Sequence, residues 1–186
     1  NANFYYQNNI KNIFKFLSTF IFFLKKYPIS ILSCRKKNLK FHSRHSAKKR
    51  QYEYVILNRI AKASIDANKV WLVKRHLNLK KMEKAIKYFL GTHDFSAFRS
   101  SSCSAKSAIR TISNARIKKT KDKIFIKFES KSFLQKQVRS MVGCLKYVGE
   151  EKWPPIMIKR IIRLKKREMC APPAPANGLF LKKVFY

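Results

Sequence analysis

A single arginine, Arg139, stands inside an apolar helical pattern at residues 133–149, FLQKQVRSMVGCLKYVG, and this segment contains no acidic residue. A guanidinium group keeps its proton, so an arginine at the edge of an apolar stripe needs either water or an anionic partner. The segment itself offers no anion. Arg139 is therefore a candidate site residue whose partner must be sought elsewhere.

A second candidate site lies at residues 41–52, where cationic and imidazole side chains alternate with aromatic rings. Such mixing favours RNA, because cations meet phosphates while rings stack on exposed bases. Tyr52, at the start of a predicted strand, can present a ring and a hydroxyl together. A solvated charged loop that leads into a strand is the open alternative. The candidate RNA-binding residues here are His42, Arg44, Lys48, Lys49 and Arg50.

A third cluster, HDFSAFRSSSC, occupies a polar segment at residues 92–107 that reads as a long loop, and long loops in compact domains are often functional. His93 and Asp94 could form an acid/base pair, but adjacent loop residues point in different directions, so a turn role for Asp94 is favoured. The basic residues left to face phosphates are Arg99, Lys106 and Arg110.

Several chemistries find no support in the motifs. The sequence has no GxSxG nucleophile turn, no GxGxxG or Walker loop, and only 4 glycines, which disfavours hydrolase triads and the use of ATP or dinucleotides. A zinc site would have to combine Cys34 with His42 and His45, a spacing that fits no common ligand pattern. We therefore expect neither a metal nor a cofactor.

Charge points to a polyanionic partner. The 186 residues carry 43 Lys+Arg against 9 Asp+Glu, a formal net charge of +34, and nucleic acid ranks ahead of an acidic membrane surface. Part of the excess is background, since abundant Lys, Ile, Asn, Phe and Tyr are typical of an AT-rich genome. The 4 cysteines form no CxxC pair, which favours a reducing compartment and hence the cytoplasm. The apolar run at residues 13–24 is too short to span a membrane and is expected to be a buried helix.

The elements that would position these residues alternate irregularly. Strands are predicted from β-branched and aromatic runs or alternation at residues 52–58, 70–73, 109–118, 123–130 and 179–186. Helices are predicted at residues 13–24, 79–90 and 133–149, and after Pro154 and Pro155. This order indicates an α+β fold with a mixed, mostly antiparallel sheet and helices packed on one face.

Four ordered blocks resemble the bacterial tRNA pseudouridine synthase A family, which isomerises uridines in the anticodon stem-loop of tRNA. They are FHSRHSAKKRQYEYVILN from residue 41, GTHDFSAFRSSSCSAKSAIRTI from residue 91, FLQKQVRSMVGCLKYVG from residue 133 and APANGLFLKKVFY from residue 174. The likeness covers the chain from about residue 41 to its end. It implies the pseudouridine synthase fold, with residues 1–40 as a remnant of the N-terminal catalytic domain and residues 41–186 as the C-terminal domain that binds RNA and contributes to catalysis.

The resemblance also implies a chemistry without metal or cofactor, in which an aspartate assists cleavage of the bond between uracil and ribose and carbon 5 is then joined to the sugar. The target base must leave the stack and enter a pocket. By its place in RQYEY, Tyr52 is similar to the family's active-site tyrosine, which lies against that base. Arg139, in QVRSMVG, is similar to the family's arginine that pairs with the catalytic aspartate.

One departure from the family matters most. Its aspartate lies in an RTDxGVHA sequence ahead of the first helix, which these 186 residues do not contain, so the chain is expected to begin just after the catalytic loop. Asp66, Asp94 and Asp122 lie in the wrong blocks. Lesser departures are the absence of two family histidines at residues 135–137 and Ser140 in place of asparagine. Two hypotheses follow: part of a tRNA-uridine isomerase, homodimeric as the family is, or a non-catalytic basic RNA-binding module.

Overall fold

The computed structural model describes residues 2, 10 and 12–186, and these fall into two units, Asn1–Ser46 and Ala47–Tyr186. Residues 1, 3–9 and 11 of the predicted N-terminal remnant lie outside the described residues. The predicted domain boundary between residues 40 and 41 remains a prediction. Within the described part of the chain, no helix has the length and apolar character needed to cross a membrane.

The first unit contains one described helix, α1 (Ile13–Phe23), which begins where the Asn12 side chain accepts a hydrogen bond from the Lys15 amide at 3.0 Å. No side chain of α1 is buried, and Phe14 is 80% exposed. The prediction of a buried helix is therefore wrong. The sequence pattern is apolar enough for burial, but the described part of this unit has no second helix or strand against which the helix could pack.

The second unit is built on a six-stranded sheet. Its strands are β1 (Lys49–Leu57), β2 (Trp71–Leu72), β3 (Gly91–Asp94), β4 (Ile109–Thr120), β5 (Lys123–Ser130) and β6 (Leu179–Phe185). The strand order is β2-β1-β5-β4-β3. β6 lies on the same side of β1 as β2: β6 pairs with the first part of β1, and β2 pairs with its last two residues. Only β1 and β2 run parallel; every other pair is antiparallel. The predicted mixed, mostly antiparallel sheet is confirmed.

Three helices, α2 (Leu79–Ile86), α3 (Gln137–Gly149) and α4 (Met157–Leu164), contribute side chains to the core that covers one face of the sheet. β5 shows the alternation that this packing demands, since Ile124, Ile126 and Phe128 are fully buried while the residues between them are half-buried. Burying such side chains is the main stabilising contribution, at roughly 1.5–3 kcal/mol each. The predicted α+β class is confirmed.

Several element boundaries differ from the prediction, and two of these differences lie close to the predicted site residues. The polar segment after α2 contains a short strand, β3, which pairs with β4, so the long loop begins only after Asp94. The Arg139 helix begins at Gln137 rather than at residue 133, because Lys136 adopts a left-handed conformation with φ of 61°. The Gln137 side chain then accepts a hydrogen bond from the Leu134 amide at 2.8 Å and holds this turn.

The other face of the sheet carries a smaller apolar cluster around Val55, Leu57 and Val70. Glu53 is buried beside it and pairs with Lys127 at 3.0 Å and with Lys182 at 3.4 Å. A carboxylate taken out of water needs such partners to stay charged. These ion pairs tie β5 and β6 to the central strand β1.

Candidate nucleic-acid site at one end of the sheet

Arg139 lies in the first turns of α3 and is half-buried. Its Nε donates a hydrogen bond to the Ala174 carbonyl at 2.6 Å, and the Ala174 amide donates to the Arg139 carbonyl at 2.9 Å. These two bonds hold the side chain against residues 170–178, a segment that ends in a 3-10 turn at Ala176–Gly178 and that we call the strap. The Nη groups of Arg139 have no partner among the described residues, so one edge of the guanidinium is available for an anion.

Tyr54 holds the next residue of the strap. Its hydroxyl donates to the Pro175 carbonyl at 2.7 Å, and the side chain is fully buried. Burial raises the pKa of the Tyr54 phenol, although the nearby charge of Arg139 lowers it in part. A Cβ at Gly178 would come within 2.8 Å of the Tyr54 ring, so the strap passes very close to β1. Tyr54 therefore fixes the carbonyl segment on which Arg139 rests.

Tyr52 lies two residues earlier on β1 and so faces the same side of the sheet as Tyr54. It is half-buried, and its ring meets that of Phe133 edge to face with centroids 5.2 Å apart. Phe133 belongs to the turn that leads into α3. The Tyr52 ring is thus held by an aromatic neighbour on one side while part of its surface remains exposed, as a stacking platform requires.

The start of β1, the end of β5 and the start of β4 meet at one end of the sheet. Arg50 pairs with Ser130 across the sheet, and Ser130 pairs with Ile112. The long loop reaches the same end, because the Ser100 amide donates to the Gln135 carbonyl at 3.0 Å and the Ser102 hydroxyl bonds the Gln135 side chain at 3.2 Å. We call this end of the second unit the basic end. It brings Tyr52 and Arg50 close to the turn before α3.

Arg99 of the long loop and Arg110 of β4 both bind the loop backbone. Arg99 donates to the Ala105 carbonyl at 3.5 Å, and Arg110 donates to the Ser107 and Ile109 carbonyls at 2.9 and 2.6 Å. Both are half-buried, whereas Lys106 is exposed. Lys106 is the residue of this predicted group whose charge is most open to a phosphate.

The basic block around residues 42–50 is divided between the two units. His42 and Arg44 belong to the first unit, where His42 Nδ1 accepts hydrogen bonds from the Arg44 and His45 amides at 3.0 and 3.3 Å. In the second unit Lys48 is exposed, but Lys49 pairs with Glu129 at 2.8 Å and also lies 4.4 Å from the centroid of the Phe185 ring. The Arg50 guanidinium donates to the Lys131 carbonyl.

Asp94 has the turn role that the sequence favours. Its Oδ1 accepts hydrogen bonds from the Ser96 amide at 2.9 Å and the Ser96 hydroxyl at 2.6 Å, and its Oδ2 pairs with Lys165 at 3.1 Å. The hydrogen bonds from Ser96, with a lesser contribution from Lys165, hold the pKa of Asp94 below its usual value. His93 hydrogen-bonds the Leu90 carbonyl at 2.7 Å instead of Asp94. The two do not form an acid/base pair.

The other two aspartates are also engaged away from Arg139. Asp122 pairs with Arg59 at 3.4 Å and Asp66 pairs with Lys123. Among the described residues, which include all 9 acidic ones, Arg139 forms no ion pair. The same residues contain no group of three His, Cys, Asp or Glu side chains that could hold a metal ion.

The sequence reasoning missed the strap and Tyr54. A signal existed in both cases: Tyr54 is two residues after Tyr52 and must share its face of β1, and the prolines of APPAPANG favour an extended backbone in the residues that precede them. It also missed the contact of the strap with α3. A Cβ at Gly143 would lie 2.1 Å from the Pro172 carbonyl oxygen, so only glycine allows this approach.

Comparison with known proteins shows which family the chain is similar to. A family model described as tRNA pseudouridine synthase matches residues 85–186. A protein named tRNA pseudouridine synthase A from Pelagibacter ubique (strain HTCC1062) is 49% identical over 185 residues, which is 100% of this chain and 75% of that protein. Relatives with the same name are 41% identical in Orientia tsutsugamushi (strain Ikeda), over 94% of this chain and 62% of theirs, and 39% identical in Caulobacter vibrioides (strain NA1000 / CB15N), over 88% and 66%.

The chain therefore belongs to the tRNA pseudouridine synthase A family, and the resemblance carried by the four sequence blocks is confirmed. The chain spans 75%, 62% and 66% of the lengths of these three relatives.

Proposed function

We propose that this chain forms the arginine and tyrosine side of a tRNA pseudouridine synthase site, which isomerises uridine to pseudouridine in the anticodon stem-loop. The observation that carries the proposal is the state of Arg139. Its Nε is bound to the Ala174 carbonyl and its remaining nitrogens face no carboxylate of the described chain. A guanidinium held in this way is prepared to receive an anion without reorganising.

The anion in this proposal is the catalytic aspartate, supplied by polypeptide outside these 186 residues. Asp66, Asp94 and Asp122 are each paired with another cation, which supports this view. Arg139 would orient that carboxylate and keep it ionised, so that it can act as the nucleophile. Tyr52 would lie against the uracil ring once the base has left the stack.

The substrate would be held mainly through its phosphates. Lys48 and Lys106 are two exposed cations in the part of the second unit that carries the candidate site, and Arg50, Arg99 and Arg110 stabilise the backbone around them. Phosphate contacts give affinity and position, whereas the base pocket selects uridine. His42, Arg44 and Lys49 complete the proposed RNA-binding set. We further expect a homodimer in the cytoplasm, with neither metal nor cofactor.

A non-catalytic RNA-binding module is the second candidate function. It is favoured by the net charge of +34, which would hold tRNA without chemistry. The two proposals make the same prediction about binding. They differ in whether a suitably placed aspartate restores a reaction.

The first experiment uses the 186-residue chain and unmodified tRNA. We expect salt-sensitive binding and no pseudouridine in the anticodon arm, measured by mass spectrometry of nucleosides after digestion. Pseudouridine formed by this chain alone would overturn the argument that none of its aspartates can serve. Failure of the folded chain to bind tRNA would contradict both proposals.

A further inference from the structure

Two cysteines that are 26 residues apart in the sequence meet where α3 contacts the strap. Cys144 lies in α3, five residues after Arg139, and is fully buried; Cys170 is the first residue of the strap and is half-buried. Their sulfur atoms are 3.4 Å apart, and both thiols are free. Closing a disulfide, with its S–S bond of about 2.05 Å, requires the sulfurs to approach by roughly 1.4 Å, which rotation of a partly exposed cysteine can supply.

The surroundings favour a thiolate at Cys170. Arg167 precedes it by three residues, and its Nη1 donates to the Ala97 carbonyl at 3.2 Å, which holds the guanidinium in place. Acceptance of a hydrogen bond from Cys144, together with the Arg167 charge, lowers the pKa of Cys170. The pKa of Cys144 is raised, mainly by that same hydrogen bond and by burial. Oxidants attack an accessible thiolate, whereas a buried neutral thiol reacts with them slowly.

We propose that Cys144 and Cys170 form an oxidisable dithiol that hydroperoxides convert to a disulfide between α3 and the strap. The Cys170 thiolate attacks the peroxide oxygen, giving a sulfenic acid and releasing hydroxide, or alkoxide from an organic hydroperoxide. Cys144 then attacks the sulfenic sulfur, its proton leaves with the hydroxyl group as water, and the S–S bond forms. Two thiols lose two electrons, and one peroxide is reduced.

The disulfide would link α3 to the strap, the segment that holds Arg139. The residues that follow Cys170 lead directly to Ala174, whose carbonyl holds Arg139 Nε. In the reduced protein the strap is held to α3 by hydrogen bonds and close packing; in the oxidised protein it is held covalently. Thiol reductants reverse the change, as expected for a sensing pair and not for a structural disulfide.

The test treats the reduced 186-residue chain with hydrogen peroxide, blocks the remaining thiols, and maps tryptic peptides without reduction. We expect the free thiols to fall from 4 to 2 and a linked pair of peptides, residues 140–146 with residues 168–182, to appear with a mass 2 Da below the sum of the two. Dithiothreitol should restore both peptides. The map uses the wild-type chain, so it does not depend on any variant folding.

A matched pair of variants identifies the partners. The variant Cys34→Ser/Cys103→Ser should still lose both of its thiols, whereas the same variant with Cys170→Ser should keep its Cys144 thiol under the same exposure. Linkage of Cys34 or Cys103 in yields equal to that of Cys144 with Cys170 would overturn the proposal. Oxidation of Cys170 to sulfinic or sulfonic acid without a linked peptide would overturn it as well.

Discussion

The two residues identified first from the sequence, Arg139 and Tyr52, are held by neighbours that leave one side of each available. Arg139 rests on a backbone carbonyl, which orients the guanidinium without neutralising it. Tyr52 rests on the edge of Phe133. The Arg139 guanidinium, held by a neutral acceptor, is prepared for an anionic partner. The Tyr52 ring, held by another ring, is prepared for a planar partner.

Replacing these residues should reduce turnover more than binding. We expect Arg139→Ala and Tyr52→Phe to lower the rate of pseudouridine formation by about 100-fold in a chain that carries the family's aspartate. The first variant removes the cation that orients the aspartate, and the second keeps the ring but removes the hydroxyl that Tyr52 presents with it. The affinity for tRNA should change by less than about threefold, since most binding comes from phosphate contacts. The matched control is Arg116→Ala, an exposed arginine on β4. Wild-type rates in Arg139→Ala or Tyr52→Phe would contradict their proposed roles.

Asp94 gives the fold a dependence on pH. Because its pKa is lowered in the folded state, its contribution to stability is present above the unfolded value of about 3.9 and is lost as the pH falls through the folded value. We expect Asp94→Asn to lower the free energy of unfolding at pH 7 by less than about 1 kcal/mol, since the ion pair with Lys165 is partly exposed. Urea titrations at pH 7 and pH 3 should show a smaller difference at the lower pH. A difference that grows on acidification would contradict this assignment.

At the scale of elements, the site depends on how the strap lies between α3 and β1. Ala174 bonds Arg139 through both its amide and its carbonyl, and Pro175 accepts from Tyr54. The close approach at Gly143 allows α3 to lie against the strap backbone. The helix and the strand therefore share one extended segment as their common support.

Gly143→Ala should be destabilising although alanine is the better helix former. The added Cβ would lie 2.1 Å from the Pro172 carbonyl oxygen, which is backbone and cannot rotate away. We expect a loss of about 1–3 kcal/mol in the free energy of unfolding, the usual cost of overpacking. The control is Gly149→Ala at the end of the same helix, where the nearest atom is the flexible Met82 Sδ at 2.7 Å. Equal unfolding midpoints in urea for the two variants would refute the close approach.

The sequence predicted the elements well where pattern and packing agree. β5 begins and ends at the predicted residues. Its apolar and polar side chains alternate strictly, and when one face of a strand is buried only one register places the apolar side chains in the core. The sequence-based prediction failed for α1, because its apolar pattern indicated burial but none of its side chains is buried in the structure. It also failed for β3 and the strap, because short polar strands and proline-rich segments carry no periodicity and are fixed by the partners that they contact.

At the scale of the whole molecule, charge is the dominant property. A net charge of +34 makes tRNA binding sensitive to salt, since each phosphate contact releases counterions. The charge is spread over many surfaces, so its amount alone does not locate the site. The position of the tRNA-binding surface has to be tested by comparing lysines at opposite ends of the sheet.

Lys48→Ala/Lys106→Ala removes two exposed cations near the basic end, and Lys118→Ala/Lys119→Ala removes two at the β4–β5 turn. We expect the first pair to weaken tRNA binding and to reduce the slope of log affinity against log salt by about 1 per lysine. The second pair should have a smaller effect on both quantities. Filter-binding titrations at several salt concentrations measure this, and equal effects of the two pairs would indicate binding without a preferred face.

The central claim is that these residues supply one side of a synthase site and that an aspartate from other polypeptide completes it. The most direct measurement is pseudouridine formation by a fusion of this chain with an upstream segment that carries the family's RTDxGVHA sequence. We predict pseudouridine in the anticodon arm with the fusion, none with the 186-residue chain, and none when the aspartate of the RTDxGVHA sequence is changed to asparagine. Product from the chain alone, or no product from a folded fusion that binds tRNA, would contradict the claim.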